Sequence, residues 1–196
     1  LRWNKILKKC IKNRKEVRNG MEEYNGLQFE IIKEEDIGIL SPIMKRAFDE
    51  DSKRHLNKPE GGPPGYDNGD FLRKYAFDKA IEAYKISKEG QPIGAVMVWI
   101  HSNNVSFLGN IFIDPSVQDS GLGLLIWKFI EFKHPETIKW QTETPGFSKR
   151  NHHFYVNKCG FKIIKIENPK DKYNESYFME KEMGQKQIDN YKAKME

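Results

Sequence analysis

Phe107–Ile130, FLGNIFIDPSVQDSGLGLLIWKFI, decides the fold, because it reads as strand, turn and helix in succession. Leu108 to Ile113 is a nearly continuous apolar run, as a central strand covered on both faces requires. Asp114 and Pro115 end it, since proline has no N–H to give a ladder and holds its neighbour extended. Leu124, Leu125, Trp127, Phe129 and Ile130 then recur at helical spacing and leave Lys128 and Glu131 for solvent. Between strand and helix lies Gln118-Asp119-Ser120-Gly121-Leu122-Gly123. Two glycines one residue apart let the backbone turn tightly and aim successive N–H groups at one point. At the positive end of a helix dipole, that is a prepared anion site suited to a pyrophosphate. A helix-start turn that uses glycine for geometry alone is the alternative. No lysine follows the second glycine, so this is not a P-loop. Ile126 stands where the third glycine of Gly-x-Gly-x-x-Gly would be.

The rest of the chain supports one ordinary domain. It has 196 residues, 38% hydrophobic and 31% charged, the balance of a soluble globular protein. No apolar run approaches the ~20 residues that cross a bilayer, which excludes a membrane-spanning protein. Two cysteines, Cys10 and Cys159, make neither a disulfide framework nor a zinc spacing, so a reducing cytoplasm is the simplest compartment. His152 and His153 show no metal-ligand spacing either, and no metal is expected. The net charge of +5 invites an anionic partner, nucleic acid or a phosphorylated cofactor, but much of the surplus comes from residues 1–20. There Trp3, Ile6, Leu7, Cys10 and Ile11 fall at helical spacing among lysines and arginines, the pattern of a basic amphipathic helix. A second reading is that Met21 is the natural start. Lys15-Glu16-Val17-Arg18 can be encoded by AAG GAG GTG AGA, close to a bacterial ribosome-binding sequence, which would make residues 1–20 a translated leader. A peptide from this segment in the native cell's protein would rule that out.

From Leu27 the elements follow in order. Leu27–Lys33 alternates well enough for a first strand, and Glu34-Glu35-Asp36 places negative charge at the start of a helix running through Phe48. Asn57 to Asp70 is a loop full of breakers, either disordered or a functional lid. Phe71–Ala80 reads as a short helix. Ile81–Ser87 and Pro92–His101 form a hairpin, with Gly94 marking a bulge or a close approach. Ile138–Thr144, Phe161–Ile166 and Tyr173–Met183 supply further strands, and the tail from Gly184 is charged and reads as a loose helix.

The glycine turn resembles the acetyl-CoA signature of the GNAT superfamily of N-acetyltransferases, Gln/Arg-x-x-Gly-x-Gly/Ala after a strand ending in Asp-Pro or a similar turn. Gln118, Gly121 and Gly123 match position for position. A second block lies downstream, with Trp140-Gln-Thr-Glu-Thr144 as a strand and Asn151-His-His-Phe-Tyr155-Val-Asn-Lys-Cys-Gly160-Phe161 as a helix turning into another. The resemblance runs from Leu27 to about Met183. It implies an α/β fold of the α+β type, a mixed, mostly antiparallel sheet of six or seven strands flanked by about four helices. Residues 21–183 would be the acetyltransferase domain, after a basic segment 1–20 and before a charged tail 184–196.

It also implies a bacterial, cytoplasmic enzyme that moves an acetyl group from acetyl-CoA to a primary amine of a small, cationic acceptor by direct attack in a ternary complex. Backbone groups of Phe112 and Ile113 would take the cofactor arm and carbonyl, the turn from Gln118 through Asp119, Ser120, Gly121, Leu122, Gly123 and Leu124 the pyrophosphate, and Asn151 the pantetheine. Tyr155 would protonate the thiolate, a phenol being suited to donate. The family places this tyrosine four residues before the glycine of Gly-Phe, whereas Tyr155 is five before Gly160, so a core aromatic is the alternative. Glu143 is the first choice of general base or ammonium anchor, with Asn110 and Asp114 behind it. Tyr66, Asp67, Asp70 and Asn110 are nominated for the acceptor, a solvated loop being the other reading of the first three. Cys159 has no base beside it and reads as an inert buried thiol. A non-catalytic acyl-CoA-binding sensor or interaction module with the same fold is the rival function. No recognition helix or basic-aromatic motif supports a nucleic-acid binder. Exposed edge strands leave room for a homodimer.

Overall fold

A computed structural model of the chain describes residues 20–118 and 121–193; the basic segment before Gly20, and Asp119 and Ser120 of the turn, lie outside them. The elements are β1 Glu22–Tyr24, β2 Leu27–Ile31, α1 Ile37–Leu56, α2 Asp70–Ala76, β3 Ile81–Lys88, β4 Gln91–Trp99, β5 Val105–Ile113 and α3 Leu122–Lys133. They continue with β6 Lys139–Pro145, α4 Lys149–His153, a π-helical turn Phe154–Cys159, β7 Lys162–Glu167, β8 Ser176–Glu182 and α5 Gln185–Lys192. The strands pair in the order β1-β2-β3-β4-β5-β6-β8-β7. The layout is the expected mixed, mostly antiparallel one, with β5 and β6 parallel. Among the described residues there are eight strands and five α-helices, one or two strands and one helix more than expected. No described helix is long and apolar enough to cross a membrane.

The additional first strand comes from a two-residue hairpin. Asn25 and Gly26 both have positive φ, 50° and 77°, so Tyr24 pairs with Leu27 across a turn whose twist suits antiparallel strands. Glu89 and Gly90 repeat the device between β3 and β4. α1 runs eight residues past Phe48, because the acidic residues that seemed to follow it pair within it. Lys45–Asp49, Glu50–Arg54 and Asp51–His55 are all i,i+4 partners. The helix stops at Asn57, left-handed at φ 56°.

Two compact units divide the chain, one of residues 20–98 and 109–126, the other of 99–108 and 127–193. In the first, Leu27, Phe29, Leu40, Met44, Leu72 and Ile86 have at most 1% of their surface exposed. Each such side chain stabilises the fold by roughly 1.5–3 kcal/mol relative to exposure. In the second, the Trp127 ring lies 5.2 Å from both Trp140 and Phe161, and Cys159 and Met179 are buried as well. β6 alternates as a half-buried strand should, turning Trp140, Thr142 and Thr144 inward. Its first four residues pair in parallel with Val105–Leu108, and all seven pair with β8.

Glu131 is a correction to the sequence reading. It is 2% exposed rather than solvated, because α5 folds over it, bringing the Gln187 amide to 3.1 Å and the Tyr191 hydroxyl to 3.2 Å, while Lys181 also donates to it. The tail read as a loose helix is therefore docked, with Ile188 buried.

Candidate active site

In the first unit, β5 delivers its end to the glycine turn under tight constraint. A Cβ on Gly94 would stand 2.1 Å from the Phe112 carbonyl oxygen and 3.0 Å from Ile113 Cα, so the glycine marks a close approach of backbones. Asp114 N–H donates to the Ile93 carbonyl at 2.7 Å in the same place. The Asp114 carboxylate then caps the short 3₁₀ turn Pro115–Val117, accepting from Ser116 N–H at 3.0 Å and Ser116 Oγ at 2.8 Å, and takes Arg46 on its other oxygen. Burial acts to raise its pKa, but the bonds from Arg46 and Ser116 outweigh it and hold the carboxyl below its ordinary value. That makes Asp114 a structural cap and a poor base. Arg46, 68 residues away, left no local signal of this role.

Among the described residues, two carbonyls beside the turn are taken from within. Gln118 Nε2 donates to the Ile113 carbonyl at 2.7 Å, and the N–H groups of Leu124 and Leu125 both reach the Gly121 carbonyl, at 3.1 and 3.2 Å. Leu124 thus holds the turn together. Gly121 sits at φ 77°, a left-handed conformation that favours glycine, and a Cβ there would meet no heavy atom within 4 Å. The first-turn amides of Leu122 and Gly123 have no intrahelical acceptor by geometry, at the positive end of a twelve-residue helix. An open turn edged with donors fits an anionic phosphate group. On β5, Asn110 has its Oδ1 buried with no hydrogen-bond partner among the described residues.

The breaker-rich loop of this unit is ordered by its own side chains. Asp49 Oδ1 accepts from the Tyr66 hydroxyl at 2.7 Å and Gly61 N–H at 3.1 Å, while Lys45 Nζ bridges Asp49 at 2.6 Å and Glu60 at 2.7 Å. Burial, with donation to Asp49, pushes the Tyr66 phenol up to about 12. Hydrogen bonds to Asp49 and Glu60 raise the Lys45 ammonium. For Asp49 burial acts upward, yet its bonds to Lys45, Tyr66 and Gly61 hold it below the usual carboxylate value. Of the nominated acceptor contacts, Tyr66 is therefore 9% exposed and turned onto Asp49. Asp70 is exposed, 3.7 Å from Arg73 and hydrogen-bonded by Asn68, and Asp67 is exposed.

In the second unit, Glu143 is half-buried on β6 and accepts from the Ser176 hydroxyl at 2.5 Å. Asn151 lies within α4 and reaches Thr144 Oγ1 at 3.5 Å, so it does not cap. Ser148 occupies the N-cap position without a side-chain cap bond. His152 stacks on Tyr177 with ring centroids 4.2 Å apart, and its Nε2 lies 2.9 Å from the Pro145 carbonyl. Burial pushes the Cys159 thiol up to about 12.

Tyr155 explains its own displacement. It is 6% exposed, with rings of Phe154 and Phe161 beside it, and its carbonyl accepts N–H groups from both Gly160 and Phe161. The bond from Gly160 closes an i→i+5 turn, one residue wider than an α-turn. The extra residue in the sequence is taken up by this π-turn, so Tyr155 stands to Gly160 as a residue four places before it would in an α-helix.

Comparison with known proteins agrees with this geometry. The profile of the acetyltransferase (GNAT) family matches residues 46–161. The uncharacterized protein YrkN of Bacillus subtilis is 36% identical over 140 residues, 71% of this chain and 75% of that protein. Among solved structures, the ribosomal-protein-S18-alanine N-acetyltransferase of Escherichia coli superposes with a TM-score of 0.63 at 14% identity, covering 81% of this chain and 97% of its own. The spermidine N-acetyltransferase of Vibrio cholerae, in complex with CoA and spermine, does so at 0.59 and 15%, covering 83% and 98%. At these identities the structures speak to the fold alone.

Proposed function

Since the chain belongs to the GNAT family of acetyltransferases, we propose that it transfers an acetyl group from acetyl-CoA to a primary amine of a small cationic acceptor, by direct attack in a ternary complex. One observation carries the cofactor part: among the described residues the turn at Gly121–Gly123 is open, with the Gly121 carbonyl taken by Leu124 and Leu125 and first-turn N–H groups at the positive end of the helix. Acetyl-CoA supplies the thioester carbonyl and a thiolate leaving group. Amides of Leu122 and Gly123, with those of Asp119, Ser120 and Gly121, bind the pyrophosphate in this reading. The Ile113 carbonyl is held by Gln118, and in this reading the main chain of Phe112 and the Ile113 N–H take the cofactor arm. Asn151 binds pantetheine.

Tyr155 carries the proton to the leaving thiolate, a role its π-turn supports by restoring the family spacing. Glu143 takes a proton from the acceptor's ammonium, leaving the neutral amine to attack, or anchors that ammonium, its Ser176 bond fixing its direction. On the acceptor side, Asn110 is the strongest nominee, since its Oδ1 is buried and has no donor among the described residues. Asp67 and Asp70 draw a cation electrostatically, and Tyr66 shapes the loop through Asp49. Solved neighbours act by name on spermidine and on a ribosomal-protein alanine, and the acidic surroundings favour the polyamine kind. The cytoplasm, where acetyl-CoA is made and thiols stay reduced, is the compartment proposed. No metal, nucleic acid or membrane takes part in this reading.

The test is thiol release from acetyl-CoA across polyamines, aminoglycosides and amino-acid derivatives. Release should depend on the amine, and Tyr155→Phe should lower kcat by roughly 100-fold with KM for acetyl-CoA unchanged. Acetyl-CoA binding without release on any amine would favour the rival reading, a non-catalytic acyl-CoA sensor.

A further inference from the structure

β7, Lys-Ile-Ile-Lys-Ile-Glu at Lys162–Glu167, ends the strand order and, among the described residues, has β8 on one side alone. Its isoleucines face water: Ile163 is 45%, Ile164 50% and Ile166 42% exposed. Three large aliphatic side chains exposed on one short edge strand form an unusual surface. The ladder to β8 runs Lys162↔Glu180 and Ile163↔Met179, then Lys165↔Phe178, Ile166↔Tyr177 and Glu167↔Ser176. Ile164 is thus an extra residue, a bulge. The bulge resets the alternation. Ile163 and Ile166, three apart in sequence, come to share a face, opposite Met179 and Tyr177, and Lys162, Lys165 and Glu167 share the other.

That arrangement makes the strand complementary to itself. A second copy laid antiparallel along β7, about a twofold axis through Lys165, sets Lys162 opposite Glu167 twice and Ile163 opposite Ile166 twice. Members of each pair then lie on the same face, as directly paired residues must. We infer that β7 is the seam of a symmetric dimer, in which a second copy of this chain continues the sheet by strand addition. Lys165 faces its own copy at the centre, but each Lys165 already holds Glu167 of its own strand at 2.6 Å, which tempers the repulsion. Lysines and a bulge on an edge ordinarily guard it against indiscriminate pairing. Here they select a register, because a slip that sets Lys162 against Lys165 replaces attraction by repulsion. The seam is short, so the dimer is reversible.

Sedimentation velocity of the full chain from about 1 to 300 μM tests this, the range suiting a small, transient interface. Mass should rise from monomer to dimer with concentration. Lys162→Glu and Glu167→Lys should each weaken the dimer about tenfold, and the double variant, with the pair reversed, should recover most of the loss. Ile163→Glu should leave a monomer with an unchanged Tm, since the side chain is already exposed. A monomer throughout the range, a dimer indifferent to Ile163→Glu, or a double variant no better than the singles would overturn the inference.

Discussion

The glycine turn 118–125 and the loop 57–69 belong to the same compact unit, and both read in sequence as places to meet a ligand. In the loop the polar groups answer one another. Tyr66, Gly61 and Lys45 converge on Asp49, Lys45 also holds Glu60, and Ser52 Oγ donates to the Glu60 carbonyl at 3.2 Å. In the turn, among the described residues, the carbonyls of Ile113 and Gly121 are answered from within, by Gln118 and by the amides of Leu124 and Leu125. First-turn amides are left over, all donors and all at the positive end of a helix. Glycine content is therefore a poor guide to a binding loop. The sign and number of groups left unmatched among the described residues is a better one, and it favours the turn for the proposed anion and a structural role for the Asp49 cluster.

Four substitutions or conditions press on that difference. Gly94→Val should act most strongly, because its side chain would have to displace the Phe112 backbone that feeds the turn. A loss of roughly 2–3 kcal/mol in urea unfolding is expected, together with loss of acetyl-CoA binding by calorimetry. Asp49→Ala leaves Tyr66 Oη and Gly61 N–H without their acceptor and should cost about 2 kcal/mol. Its acetyl-CoA affinity should stay within about twofold of the parent, since no turn donor is touched; an affinity that fell with stability would erase the contrast. Gly121→Ala meets open space, so its penalty is the left-handed backbone alone, about 1 kcal/mol, but it should weaken acetyl-CoA about tenfold by reshaping the donors. The smallest effect is with pH. Asp49 is held below its unfolded value, so its contribution is full above that value and fades as pH falls through the folded one. The gap in urea midpoint between parent and Asp49→Asn should be flat above about pH 5 and close as pH drops below about 4.

Much of this was legible in the residues, and what was not has identifiable physical causes. The strand-turn-helix of 107–130 was readable because its signals are local: an apolar run, Asp-Pro, two glycines and a helical repeat. β1 was also within reach, since Asn25-Gly26 is the strongest two-residue hairpin signal, yet three residues of strand beside it carried little periodicity. The length of α1 was hidden in plain view by i,i+4 pairs that looked like an acidic loop. The loop's wiring was out of reach, because Asp49 and Tyr66 are 17 residues apart and no period links them. So was Ser176 on Glu143, at a separation of 33, and the burial of Glu131 under a helix whose own sequence is mostly polar. Tyr155 lies between these cases. The count showed one residue too many before Gly160, and the π-turn shows where it went.

The most direct measurement is thermal unfolding of the full chain with acetyl-CoA, and with ATP as control anion. At a concentration ~100 times the dissociation constant, acetyl-CoA should add ~2.7 kcal/mol of stability, Gly121→Ala should need more ligand for the same gain, and ATP should do little. No gain with acetyl-CoA, or an equal gain with ATP, would contradict the account and leave the turn as geometry or a generic phosphate site.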